Sequence, residues 1–500
     1  MEVGAILGGV VSESQQDEEP RANGKLPHFW VSTTYFAEGY PYTIINNLAE
    51  IIFQQLGASL RVVGLTSLFH LPWNLKFLWG PLLDRYETKR RWLIGVEVLL
   101  TIGLVVLALF STQTQWLGAL GTCFMLLAVL AATHDIAIDG YYLEALDEEG
   151  QSRFVGYRAM AYKAASLLVR GPLLILAGAI GWTLGLLTMA AIMGIVLAVH
   201  IFLLPRVETP KKAIGALARG LLSLRWIFVG VALGVVVLVE RKLGVLSGMM
   251  TQFRSVVAAT PLAKISVGGW IAVGLFVALL VLLVLKRRLM HSKSDYAHAF
   301  VDFLGQPKVG RVLAFVVLFR CGESFLQKMK WPFLNDVMKM SVGDYGFVNG
   351  TLGVVASLIA TFAGGWLISK QGLRRWIWPF VIAQNLLNLL YVWLASQSTP
   401  ASTGVLTTVI TLEHFGEGLG TAVFMVYLMR CCDPRHKAAH MAIVTALMSV
   451  SFTIAGVASG FIAERIGFSS YFMFSFIATL PGMALLFVVP HLDGRESAPA

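Results

Sequence analysis

The sequence predicts an all-α polytopic membrane protein built from two related six-helix halves. Three observations carry that reading. The chain is 56% hydrophobic and 14% charged, whereas soluble domains carry roughly a quarter charged residues. Continuous apolar runs of about 20 residues, the length that crosses a bilayer, recur along almost all of the chain. One loop pattern also occurs twice at corresponding places. Lipid offers the backbone no partners, and these runs do not alternate as barrel strands do, so each is expected to be helical.

Residues 1–27 hold a Ser/Gln/Asp/Glu stretch and Pro20 without a leading basic region, so a disordered tail with no cleavable signal is expected. Six spans follow in a bundle over 28–205, at 29–57, 61–82, 92–111, 116–144, 156–180 and 183–204. A linker over 206–310 carries two weaker spans, 220–239 and 265–285. The first of these includes Arg225 and could instead lie in the interface. A second bundle over 311–490 has spans 311–333, 345–368, 376–395, 402–429, 437–463 and 470–489, and a tail occupies 491–500. The expected architecture is six plus two plus six. Trp30, Trp92, Trp116 and Trp182 fall at span ends and read as interfacial anchors.

With the N-terminus in the cytoplasm, most of the 39 Lys and Arg lie on that side, as the positive-inside rule requires. Both termini are therefore expected in the cytoplasm. Topology accounts for the net charge of +10 without a nucleic-acid partner. Cys123, Cys321, Cys431 and Cys432 have neither disulfide-framework nor zinc spacing and read as small apolar packing residues. No cofactor or metal is expected, and a monomer in lipid is the expected state.

The repeated loop joins the second and third helices of each half. Gly80 precedes Asp84, Arg85 and a basic run including Arg90, and Gly365 precedes Ser369, Lys370 and Arg374. Glycine would let helix ends approach closely, Asp84 would cap or latch, and the cations would hold the loop at an anionic membrane face. The pair reads as a gating latch, with Lys76 snorkelling or pairing with Asp84.

Ionisable side chains within spans cost about 2.5–3.5 kcal/mol at mid-bilayer, so those present are expected to face a cavity, a partner or a pathway. The first helix offers Glu38 before Gly39 and Pro41, then Asn46 and Glu50 four apart. The fourth has Asp135 and Asp139 beside His134, and its counterpart in the second half has Glu413, His414 and Glu417. Two carboxylates four apart in low dielectric suit proton uptake and release. Glu38, Asp135, Asp139, Glu323, Glu413 and Glu417 are the proton-coupling candidates. Lys163 and Arg170, seven apart, form a basic stripe with Arg158 nearer one end. Arg320, Lys328 and Lys330 bring positive charge from the second half, Lys330 on the face of Glu323. A cavity so lined would take a small anionic solute. Gln384, Asn385 and Asn388 share a helical face and could bond the solute or glue helices. A membrane-embedded enzyme using His134, Asp135 and Asp139, or a sensor, is the other class considered. Paired halves are not explained by an enzyme.

Several strings carry a family resemblance. Phe36-Ala-Glu-Gly39-Tyr-Pro41, the run from Leu71-Pro72 through Lys76 and Gly80-Pro81 to Asp84-Arg85-Tyr86, and Asp135-Ile-Ala-Ile-Asp139 resemble the muropeptide permease (AmpG-type) branch of the major facilitator superfamily. So do Gly322-Glu323-Ser-Phe325, Pro332-Phe333-Leu334, Val348-Asn349, Gly364-Gly365 and Gly418-Leu-Gly420-Thr421-Ala422. The resemblance spans roughly 28–490, and a branch of acetyl-coenzyme A transporters shares much of it. It implies the major facilitator fold and proton-driven import of anhydromuropeptides across a bacterial inner membrane for cell-wall recycling. The chain departs from that pattern at Glu38, Glu323, Lys163 and Arg170, the last two being usually uncharged. Coenzyme A esters, sugar phosphates and peptides are therefore the alternative anionic solutes.

Overall fold

Backbone groups in hydrocarbon must bond to one another, and the helix is the local solution. A computed structural model describes residues 27–112, 114–206, 212–213, 295–433 and 436–493. The first half holds α1 (27–55), α2 (60–85), α3 (Lys89–Phe110), α4 (Leu117–Ala145), α5 (148–180) and α6 (Trp182–Leu203). A short helix, α7 (Asp295–Gly305), leads into α8 (309–336), α9 (342–371), α10 (373–395), α11 (Thr403–Cys431), α12 (437–466) and α13 (468–485). These are the two expected bundles of six. The two inserted spans, 220–239 and 265–285, lie outside the described residues. The end of the expected linker is helical, and Phe303 of α7 is buried in the core of the second half beside Phe315 and Phe319.

Seven helical stretches among the described residues are long and apolar enough to cross a bilayer by length and composition. The outward faces fit lipid: Phe202 is 80% exposed and Phe362 75%, a surface that water would not tolerate over so many neighbours. Trp30 departs from its expected role as an anchor. It is buried, edge-on to Tyr141 at 5.2 Å, in the core of the first half.

Proline sets the irregularities. Pro41 deprives α1 of a backbone donor, and a π turn follows at Ile44–Leu48. Pro172 lies inside a second π turn, Val169–Leu173 of α5. Pro72 and Pro81 each open a new helical piece of α2, which is also broken by 3-10 turns at Thr66–His70 and Lys76–Leu78. A third π turn, Gly346–Gly353, interrupts α9.

One end of the molecule carries the arginine-rich turns at 84–91 and 370–375 and is called the basic end below. At the opposite end the halves meet closely. A Cβ on Gly178 would stand 2.9 Å from the Gly343 nitrogen, and one on Gly64 2.9 Å from the Gly460 nitrogen. A Cβ on Gly350 would overlap the Arg170 carbonyl. Gln55 Nε2 donates to Asn335 Oδ1 at 3.1 Å, and Arg61 pairs with Glu464 at 2.9 Å. One apolar core there draws Ile51, Val63 and Leu174 from the first half and Phe325, Trp331 and Tyr345 from the second. Contacts between the halves gather at this end and at mid-level, while the basic-end turns of α5 stay exposed, Met160 at 75%. The halves thus part toward the basic end.

Single glycines turn the chain between helices. Gly181 (φ 87, ψ 161) joins α5 to α6, and Gly467 (φ 73, ψ 163) joins α12 to α13 at the corresponding corner of the second half. That region is open almost only to glycine. Gly181→Ala and Gly467→Ala should each cost about 1–3 kcal/mol and lower the melting temperature of the purified protein. Gly365→Ala, at a helical glycine with open space around it, should not.

Candidate functional site

Low dielectric makes an isolated charge costly, so charges inside the bundles are expected to collect around partners. In the first half, three carboxylates meet two cations. Asp135 pairs with Lys76. Asp139 accepts from Arg158 and from the Tyr35 hydroxyl, each at 2.8 Å. The Arg158 guanidinium also lies over the Tyr35 ring at 4.2 Å and the Tyr142 ring at 4.6 Å. Glu38 sits within electrostatic reach of Asp135, Asp139 and Lys76, and its Oε2 is buried without a partner.

The second half repeats the arrangement with other residues. Glu323 pairs with Arg320 through bonds of 3.0 and 2.5 Å and accepts from Gln384 at 2.6 Å. Glu413 pairs with Lys330 at 2.9 Å and accepts from Gln327 at 2.7 Å. Glu417 meets Arg320 at 3.4 Å and the His414 ring at 2.9 Å. The other nitrogen of His414 bonds Asn349 at 2.9 Å. Both ring nitrogens therefore have a polar partner. Ligand-type atoms of Glu413, His414 and Glu417 lie within 4.8 Å of one another. Lys330 and Arg320 already hold the carboxylates a metal would need.

Between these clusters lies a cavity of about 60 Å³ lined by Asn46, Glu50, Arg170, Lys328, Tyr345 and Asn349. That volume holds a few waters and no solute. All three π turns contribute: Asn46 from α1, Arg170 from α5 and Asn349 from α9. Lys328 of α8 reaches across the halves to Glu50 at 3.0 Å and to Thr66 at 2.7 Å. Asn46 bonds His70, which bonds Ser449 of the other half at 2.5 Å. Toward the basic end, Lys163 is exposed, within electrostatic reach of Glu417 and Arg320 across the gap.

Several expected placements differ. Lys76 joins Asp135, and Asp84 is held instead by Lys89 at 2.5 Å. Within each i, i+4 carboxylate pair the two members take separate partners, Lys76 and Arg158 for the pair on α4 and Lys330 and Arg320 for the pair on α11. Arg158 leaves the Lys163–Arg170 stripe to bind Asp139. Lys330 joins Glu413 and not Glu323. Asn388 is buried with its Nδ2 unpartnered. In the latch loops, Gly80 and Gly365 have open space around them, and it is Gly364 that meets α11 at Ala422. Arg90 caps the last turn of α6 through the Ile201 and Leu204 carbonyls, Arg374 pairs with Asp493, and Arg85 and Lys370 are exposed.

Sequence reading missed Glu97 and His200. Glu97 Oε1 meets His134 Nε2 at 3.1 Å and His200 Nδ1 at 2.6 Å, all three side chains fully buried between α3, α4 and α6. His134 thus belongs to a cluster behind the cavity, apart from Asp135 and Asp139. A solitary carboxylate in the apolar α3 was the one available signal.

Two stability tests follow from these clusters. Glu97→Leu leaves two buried imidazoles without an acceptor, about 1–3 kcal/mol each, and should lower the melting temperature well below that of Glu97→Gln. Glu50→Leu strands Lys328 and should cost about 3–5 kcal/mol, with most of that regained in the double variant Glu50→Leu/Lys328→Met. Thermal unfolding of the four proteins checks both.

Comparison with known proteins agrees with this architecture. The family model described as Major Facilitator Superfamily matches residues 31–403 and 312–500. An uncharacterised protein of Haemophilus influenzae is 26% identical over 93% of this chain and 94% of its own. The anhydromuropeptide permease of Escherichia coli is 24% identical over 91% of this chain and 77% of its own. Among solved structures, a peptide transporter POT in complex with sulfate superposes with a TM-score of 0.65 at 12% identity, covering 94% of this chain and 96% of that one. The expected fold is met, and the enzyme reading is set aside by this company of transporters. This chain belongs to the Major Facilitator Superfamily and is a multi-pass membrane transporter.

Proposed function

We propose that this protein is a proton-coupled symporter that imports an anionic solute, with anhydromuropeptides as the solute. The observation that carries the reading is the charge balance around the cavity. Each half holds three carboxylates against two Lys or Arg, at Glu38, Asp135 and Asp139 and at Glu323, Glu413 and Glu417. Each cluster has one carboxylate beyond its Lys and Arg partners, which a proton can neutralise. The cavity wall has the opposite balance, Arg170 and Lys328 against Glu50, and so favours an anion. The name of the Escherichia coli relative, matched over 91% of this chain, supports the solute.

Under the positive-inside rule the basic end is cytoplasmic, the membrane is a bacterial inner membrane, and the monomer is the transport unit. The conformation is then open inward and closed outward at the glycine contacts of α5 with α9. Rocking of the halves about the cavity gives alternating access. The solute enters between Gln55 and Asn335 once that end parts, and protonation of the acidic clusters accompanies it.

Proteoliposomes test the coupling. Uptake of labelled GlcNAc-anhydroMurNAc tripeptide should rise with a pH gradient acid outside and collapse with a protonophore. Asp139→Asn should lose gradient-driven accumulation while retaining counterflow exchange. Wild-type uptake indifferent to the gradient would reject proton coupling, and uptake of a coenzyme A ester or sugar phosphate in place of the muropeptide would reassign the solute.

A further inference from the structure

Five cations on the spans of the two bundles have a carboxylate at salt-bridge distance: Lys76, Arg158, Arg320, Lys328 and Lys330. Lys163 and Arg170 have none among the described residues. The carboxylates that influence them are committed elsewhere. Glu50, which interacts electrostatically with Arg170, is bound to Lys328. Glu417, which acts on Lys163, is bound to His414 and Arg320.

The two cations stand on the same helix. Arg170 lies on the π turn of α5 and lines the cavity. Lys163 is exposed on the same side, seven residues toward the basic end, facing charged groups of the other half. Seven residues place them about 10 Å apart along the axis. Helix packing does not require either charge, since neither ties α5 to a neighbour. Each is nevertheless costly within a membrane-spanning segment unless water or an anion meets it.

Resting on the reading of this cavity as the solute site, we propose that Arg170 and Lys163 are its anion-recognition residues. The solute they fit carries two anionic groups, carboxylates or phosphates, about 10 Å apart. Arg170 takes the deeper group, where its planar fork can hold two oxygens and fix orientation. Lys163 takes the outer group as a point charge on a flexible stem, and tolerates variation in how the rest of the solute lies.

The full chain in nanodiscs, titrated with simple probes, tests this. Suberate, whose extended chain matches the spacing, should stabilise the protein against heat at lower concentration than succinate, which is too short, or octanoate, which has one carboxylate. Arg170→Gln and Lys163→Gln should each weaken suberate binding by about tenfold or more, leaving it no better than octanoate. Arg170→Lys should recover part of the loss, and the surface variant Arg465→Gln should change nothing. Neither glutamine variant should melt lower without ligand. Equal binding of suberate and octanoate by the wild type, or suberate binding unaltered in both variants, overturns the proposal. The muropeptide reading is tested separately: muropeptide uptake that Arg170→Gln leaves intact defeats this assignment and spares that reading, while the suberate pattern without muropeptide uptake does the reverse.

Discussion

Hydrocarbon supplies no partner for a polar group, and this one constraint orders the whole molecule. It turns each apolar run into a helix. It also turns each interior charge toward another charge, since an isolated ion at mid-bilayer is costly. Asp139 is a compact instance: a guanidinium and a phenol at 2.8 Å satisfy it, and two aromatic faces shelter the guanidinium in turn. Ionic clusters of this sort tie α1, α2, α4 and α5 to one another.

The two halves answer the constraint in the same way with different residues. Glu38 of α1 corresponds in place to Glu323 of α8, and the pair on α4 to the pair on α11. Gly181 and Gly467 turn the same corner. Departures from the repeat mark where the halves differ in chemistry. The Glu97–His134–His200 cluster belongs to the first half, and the His414–Asn349 link, which carries the acidic network to the cavity wall, belongs to the second. Proline and glycine place π turns in α1, α5 and α9 at the level of the cavity, so the helices that line it are also those with a local break.

Much of this was legible in the sequence because periodicity and apolar length act locally. The six-plus-six organisation, the acidic pairs and the latch loops all sit within single segments. Partnerships did not. Lys76 has Asp84 eight residues away in the chain, yet it meets Asp135 because α2 and α4 lie side by side. Glu97 reads as one charge in an apolar span until α3 packs against α4 and α6 and delivers two histidines to it. The same holds for closure: Gly80 and Gly365 stand in the conspicuous motif, but the glycines that let backbones touch include Gly178, Gly343 and Gly350 of α5 and α9 and Gly64 and Gly460 of α2 and α12. Sequence gives residue types along one helix, and which face meets which neighbour is decided by packing.

Charge balance also bears on which movements are open to the empty protein. The end now closed is held by glycine backbones and amides, by the Gln54 amide on the Asp336 carboxylate, and by the Arg61–Glu464 pair, which is partly exposed to solvent. Parting it also separates Lys328 from Glu50, two opposite charges that entering solvent can take up. The basic end differs. Drawing α5 against the second half there would enclose Lys163 beside Arg320 and its carboxylates Glu323 and Glu417, and would strip solvent from an exposed ammonium. Desolvation of that ammonium is costly in low dielectric, and Glu417, already bound to Arg320 and His414, offsets it only in part. An anion lying along α5 supplies a counter-charge at the moment solvent leaves. A filled site therefore lowers the cost of closing the basic end, by as much as the anion prefers the closed arrangement to the open one.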